Sequence, residues 1–507
     1  MISIHLDGQR LEVDPDSSLR SVLQKIPLGN CVAVIRPTTK EQAKTNSLAM
    51  TTTAGEITID LDGEKGTFLE KPGFSSFLSL HWEDRYAAAF GPFQSTLQPS
   101  RKPSVYERGD VILGCGGYNP QTSYLIFSKS RHSSDHGSDS SGGIIGKVVS
   151  GRGVLDRWST GDKITKIEPV ISWADTSRSF TTTDFDLKLE DGIQIVTLVK
   201  VVAQGYSSNK ISTEATRCVE HLLFTLEDHR FIVSQATSTH ILDSRTVGEE
   251  VPTEYRSPRR EGVVTVRNIG PTSGGIYIYK EDVPSSPVHN IVGQVVHGIE
   301  LVKLAKNGDV FTINVNPERI DLLGLPLQDA QRIAQARGFV LHVDNTEGSR
   351  IVVSQEPSTT LEVLKERAAT ITTAPNERVV DIVLDDKAAP LSCANFRRLT
   401  GLKDHDAGMM PLFFKFDDVV LFKPVIPVGM RIIPENSPIK EVPAASLAIT
   451  NDSRRGSGMV GVRLSANREF GPTSEPFEGT NIIGRVIDIG KLKNFEEKDK
   501  VYIREVT

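Results

Sequence analysis

Alternation of apolar and polar positions dominates this 507-residue chain, and it recurs in sets. Glu56-Ile57-Thr58-Ile59-Asp60-Leu61, Ile193-Gln194-Ile195-Val196-Thr197-Leu198 and Val379-Val380-Asp381-Ile382-Val383-Leu384 each read as an opening strand of period two. Further along, three segments share an ending: Gly146-Lys147-Val148-Val149, Gly293-Gln294-Val295-Val296 and Gly484-Arg485-Val486-Ile487. A polar turn follows each, then a pair that opens a last strand: Gly161-Asp162, Gly308-Asp309 and Lys498-Asp499. Glycine to aspartate spans 16, 16 and 15 positions (146 to 162, 293 to 309, 484 to 499). The closing strands, at 163–167, 310–314 and 501–503, are rich in β-branched and aromatic residues. Trp82-Glu83-Asp84, Leu226-Glu227-Asp228 and Phe416-Asp417-Asp418 precede the three glycines by 64, 67 and 68 positions. Four landmarks in one order at near-constant spacing indicate a unit repeated three times.

Outside the repeat, Ile2-Ser3-Ile4-His5-Leu6 and Leu11-Glu12-Val13 flank Asp7-Gly8, a hairpin turn. Asp16-Ser17-Ser18-Leu19 then starts a short helix, and Cys31-Val32-Ala33-Val34-Ile35 closes a set that looks like a small β-grasp module. Its relatives' C-terminal diglycine is absent, which speaks against sulfur carriage. Between the second and third units, Pro326 sits in the first turn of a helix that Gly338 ends, and a strand from Ser349 to Pro357 follows. That order resembles the small PASTA modules and reads as a spacer.

Composition narrows the function. Hydrophobic content of 38% and charge content of 24% belong to a globular chain of several domains. A net charge of -6 argues against nucleic acid, and Arg256, Arg259 and Arg260 read as a solvated loop. No apolar run reaches eighteen residues and the start lacks a basic and apolar leader, so a cytoplasmic protein is expected. Cys31, Cys115, Cys218 and Cys393 are far apart, which fits reduced thiols. His132-Ser133-Ser134-Asp135-His136 carries ligand-type residues but lies in the Ser/Gly-rich run from Ser128 to Gly143, expected to be a mobile loop. Asp404-His405-Asp406 is similar. Gly114-Cys115-Gly116-Gly117 has no Lys-Ser/Thr after it and is not a phosphate loop. No metal or cofactor is expected.

The repeated unit resembles the cyclophilin family. Ser392-Cys393-Ala394-Asn395-Phe396 is similar to its Asn-Phe helix, the run from Val263 to Tyr279 to its strand, Gly/Asn loop and strand, and the Gly-x-Val endings to its Phe-Gly-x-Val segment. The resemblance implies a mainly β (α+β) architecture. It consists of a β-grasp-like module at 1–38, cyclophilin-like barrels at 55–170, 180–317 and 376–507, and a small α/β spacer at 320–372. Cyclophilins isomerise X-Pro bonds with an arginine that donates to the prolyl nitrogen and a glutamine that fixes the substrate carbonyl. The arginine candidates here are Arg85 and Arg230, each beside an aspartate, and the third unit has none in Phe416-Asp417-Asp418-Val419-Val420. The family's Gln-Phe-Phe is replaced by Ser123-Tyr124-Leu125, Gly275-Ile276-Tyr277 and Gly458-Met459-Val460. No unit keeps both groups, so catalysis is expected to be lost.

At whole-chain level the order of modules resembles the methanogenesis marker protein 3 family of archaea. The Gly-x-Val-Val endings, the run from Asn268 to Gly275, and Asn30-Cys31-Val32-Ala33-Val34 carry that match. It implies a protein-binding partner role near methyl-coenzyme M reductase and its activation machinery. The long excursions Ser128 to Gly143 and Thr237 to Glu261 are the segments expected to order against such a partner. The alternative is a prolyl isomerase or folding helper.

Overall fold

The computed structural model describes residues 1–23, 25–36, 47–71, 73–137, 142–170, 178–207, 210–438 and 440–506. It divides into two units, Met1–Arg319 and Ile320–Thr507. Strands dominate both, as the alternation requires.

In the first unit the N-terminal hairpin, Ile2–Leu6 and Gln9–Val13, turns at Asp7-Gly8 and belongs to a five-stranded sheet. Two of that sheet's strands come from far along the chain. Gln194–Val196 lies parallel to Ile2–Leu6, and Phe180–Thr182 pairs with Val32–Ile35. The strand expected at Ile193–Leu198 is therefore divided, because the Asp7 carboxylate takes both the Thr197 N–H and its hydroxyl and breaks the ladder there. The second eight-stranded sheet opens instead with Leu198–Ala203.

Two eight-stranded sheets fill the rest of this unit, and each curls until its edges meet. In the first, Ser79 bridges Lys163, and Leu80 N–H donates to the Asp162 carbonyl at 2.8 Å. In the second, Val233 and Ser234 join the edge strands Arg230–Ile232 and Gln235–Ala236, donating to Asp309 and Leu242 carbonyls at 2.9 Å each. Their interiors are aromatic: Phe90 and Phe127 pack edge-on against Trp158, and Phe231 stacks on Phe311 at 5.2 Å.

The second unit holds a closed seven-stranded barrel, preceded by a three-stranded sheet with helices Leu327–Arg337 and Thr360–Glu366. The first of these helices ends at Gly338, whose φ of +72° is the left-handed turn a glycine supplies at little cost. The expected Asn-Phe helix runs Pro390–Thr400 and buries Cys393 and Phe396 in the barrel.

The three repeat glycines share one position. Gly146, Gly293 and Gly484 pair with the last residues of the opening strands, Leu61, Ala203 and Leu384. On their other side they pair with Val111, Val264 and Leu447, each at a register shift. A Cβ would lie 2.3 Å from the Asp60 carbonyl oxygen at Gly146, 3.1 Å from that of Val202 at Gly293 and 2.1 Å from that of Val383 at Gly484. At Gly146 and Gly484 only glycine lets the two backbones approach so closely at the bulge, and at Gly293 a side chain would crowd the strand. The Asp-containing landmark behaves differently. Asp84 and Asp418 lie between two wall strands, whereas Asp228 precedes Arg230–Ile232, so that landmark is displaced in the second copy.

One device is absent from the sequence reading and occurs twice. The Glu254 carboxylate accepts the N–H groups of Arg217 and Cys218 at the start of helix Thr216–Thr225, and Glu435 accepts those of Leu391 and Ser392. Anionic acceptors there satisfy donors that the helix itself leaves open. Each glutamate is held by a buried asparagine three residues before the repeat glycine. Asn290 accepts from Glu254 N–H and donates to the Pro252 carbonyl, and Asn481 does the same for Glu435 and Ile433. Replacing Asn481 by Ala should lower unfolding stability by about 1–3 kcal/mol, because two part-buried backbone groups lose their partners. Urea unfolding checks this, and Asn290→Ala should behave alike.

Candidate functional site

In each repeat the strands that follow the opening strand form an outer wall to the sheet. The three copies treat this wall differently.

The first wall is made by Leu80–Glu83, Ala87–Phe93, Asp110–Cys115 and Ser123–Ser128. Alternation sends Phe90, Val111, Leu125 and Phe127 inward and leaves Ala87, Ala89, Ile112, Tyr124 and Ile126 outside. The small Ala87 and Ala89 leave room for rings. A flap of two strands, Ser104–Tyr106 and His132–Ser134, supplies them. The described part of the run from Ser128 to Gly143 is thus a paired strand and bridge, not the loose loop expected; residues 138–141 lie outside the described residues. Tyr106 is fully buried, and His132 and His136 lie 5.4 and 6.1 Å from its ring. With Trp82, Asp84, Tyr86 and Arg131 the two histidines line an open hollow of about 470 Å³. Burial, with the nearby His132, holds His136 below its ordinary value.

Arg85 does not face this hollow as an isolated donor. It sits on the turn after Asp84, its guanidinium bonded to the Tyr86 hydroxyl and 4.5 Å over that ring. Arg230 lies on a wall strand of the second sheet, where its Nε bonds Asp228 at 3.0 Å. The two arginines expected to be equivalent are therefore not so. Arg245 joins Asp228 to the buried Asp243, closing a network of two cations and two anions.

The second wall is filled. His240, Tyr277, Tyr279 and His289 pack ring to ring at 4.8–6.2 Å, and the Arg259 guanidinium donates to the Tyr279 hydroxyl at 2.6 Å. Burial, reinforced by Arg259 and Arg267, pushes His289 down to about 3, so the cluster is uncharged at its centre. Arg259 belongs to the excursion Thr237 to Glu261, which is thereby tied to its own sheet together with Glu254.

The third wall is covered. A Cβ on Gly461 would lie 2.0 Å from the Pro472 carbonyl, so the chain there rests on the sheet. Arg463, which the sequence reading passed over, is 2% exposed and bonds Asp418 at 2.5 Å and the Phe470 carbonyl at 3.2 Å. Its signal was positional: in Val460-Gly461-Val462-Arg463 the cation falls on the outward phase of the strand. His405, the other histidine candidate, bonds Asp321 at 2.8 Å.

A buried ionic cluster in the first unit was also missed, since its members lie far apart in sequence. The His297 ring meets Glu56 at 2.7 Å and Asp7 at 3.6 Å. The neighbouring Glu300 accepts from the Ser150 hydroxyl at 3.1 Å, and burial raises its carboxyl above the usual range. Glu56, Ser150, His297 and Glu300 line a cavity of about 50 Å³ among three of the unit's sheets.

A sequence profile described as "Putative peptidyl-prolyl cis-trans isomerase domain" matches residues 380–506, so the closed barrel is similar to that class of domain. The chain is 35% identical to the UPF0288 protein of Methanosarcina barkeri, over 100% of this chain and 98% of that one. It is 33% identical to the UPF0288 protein of Methanothermobacter thermautotrophicus, over 99% and 97%. The chain belongs to the UPF0288 family, which occurs in methanogenic archaea. Among solved structures, a cyclophilin-type peptidyl-prolyl isomerase of Cryptosporidium parvum is 12% identical, covering 24% of this chain and 94% of that one with a TM-score of 0.18. No helix among the described residues is long and apolar enough to cross a membrane.

Burial opposes the charge on His297, but hydrogen bonds to Asp7 and Glu56 outweigh it and push the imidazole up to about 10. A raised value means the folded state holds its proton more tightly than the unfolded chain does. The stabilisation is complete below about 6.5 and is lost as pH rises through about 10. Thermal unfolding of the first unit should therefore move to lower temperature between pH 7 and 10.5, and His297→Gln should flatten that slope.

Proposed function

We propose that this chain is a non-catalytic protein-binding subunit built from three copies of a cyclophilin-type barrel, with a β-grasp-like module before them and a spacer before the third. One observation carries the reading. Three arginines at the walls are held by their own chain: Arg230 by Asp228, Arg463 by Asp418 and Arg85 by Tyr86. An arginine engaged in this way cannot follow the electron pair of a prolyl nitrogen without first giving up its partner. The walls have become packing surfaces, filled in the second copy and covered in the third.

The resemblance to the methanogenesis marker family implies a partner near methyl-coenzyme M reductase, and relatives in methanogens are consistent with that reading. The role would be an accessory one in that enzyme's activation or assembly. Several linked modules suit that role, since linked contacts add avidity even where each is weak. The second reading is a prolyl isomerase, favoured by the description of the profile that matches the closed barrel and by the hollow left open on the first wall.

A proline-isomerisation assay on the full chain should show no acceleration over the uncatalysed rate. A tagged chain captured from native anaerobic methanogen lysate should co-purify with methyl-coenzyme M reductase or its activation components, identified by mass spectrometry. Monomeric behaviour in every fraction would remove the binding reading, and catalysis lost in Arg230→Ala would establish the isomerase instead.

A further inference from the structure

The hollow on the first wall holds two imidazoles that nothing so far employs. His132 and His136 have ring centroids 6.0 Å apart, with planes inclined at 61°. The His132 Nδ1 lies 2.8 Å from the Ser130 carbonyl oxygen. A carbonyl only accepts, so Nδ1 carries the hydrogen and Nε2 bears the lone pair. That Nε2 is buried and has no hydrogen-bond partner among the described residues. A buried acceptor without a partner is costly, and a water or ion is the usual remedy.

We propose that His132 and His136 bind one divalent first-row transition ion of borderline softness, such as Zn²⁺, in this hollow. Three features support the assignment. A metal-bound histidine donates its other ring N–H to a carbonyl or carboxylate, which fixes the tautomer and aims the lone pair, and His132 is held in this way. Two imidazoles bound to one tetrahedral ion at about 2.0–2.1 Å per nitrogen have ring centres about 5 Å apart, so the pair, at 6.0 Å, would close by less than about 1 Å on binding. The Trp82, Tyr86 and Tyr106 rings pack against the pair and hold the two imidazoles in place.

Among the described residues no group of three or more His, Cys, Asp or Glu side chains is placed to hold an ion. The remaining positions would open into the hollow, beside Asp84 and Arg131, and would be filled by water or by a donor from an incoming molecule. This is the open arrangement of a site that exchanges a ligand, as opposed to a closed structural site.

Titration of the full chain with Zn²⁺, and with Co²⁺ followed by its visible absorption, tests the proposal. One ion per chain should bind. His132→Ala and His136→Ala should each weaken binding by at least about tenfold, while His240→Ala on the filled second wall should leave it unchanged. Thermal unfolding of each variant without metal shows whether it has folded, and His136→Asn, a milder change, should weaken binding as His136→Ala does. No binding at micromolar ion, binding unaffected by the His132 and His136 variants, or loss in only one of the two would overturn the site.

Discussion

Everything else in this structure depends on how closely one strand approaches the next at a single glycine. Where the opening strand of each sheet ends, its carbonyl leaves no space for a side chain at Gly146 or Gly484 and little at Gly293. That contact sets the register on both sides of the glycine strand and produces the bulge that bends the sheet. Bending brings the far edges together, as a Ser79–Lys163 bridge, as the Val233-Ser234 junction, or as full closure in the second unit. Closure in turn removes the exposed edges that would otherwise recruit another chain.

The elements carried by alternation were legible in the sequence. The opening strands at 56–61 and 379–384, the closing strands and the helix ended by Gly338 stand where the pattern put them, and the Asn-Phe helix stands where the cyclophilin resemblance implied one. What failed had a common cause. Ile193 to Leu198 alternates without interruption, yet Asp7, some 190 positions earlier, takes Thr197 and splits the strand. Leu226-Glu227-Asp228 matches the composition of its counterparts but serves a different turn. A local pattern cannot register a partner that only the fold supplies. The same holds for the Asn–Glu device, whose members are 36 and 46 residues apart, and for the cluster around His297.

The two faces of each sheet carry different chemistry. Inward positions are apolar and form the core, while outward positions meet a flap on the first wall, a cluster of tyrosine and histidine on the second and a loop on the third. Because the two faces of a strand alternate, these differences are energetically separate from the packing that holds the sheet. The first wall keeps an open hollow beneath its flap.

The five-stranded sheet at the start of the chain has a consequence for synthesis. Its first two strands leave the ribosome at once, but their parallel neighbour, Gln194–Val196, follows almost two hundred residues later, after the whole of the first eight-stranded sheet. Until then Ile2–Leu6 presents an unpaired edge to the cell. A chain made from one end to the other must therefore keep its own beginning waiting, and bring it home only after the piece in between has taken shape.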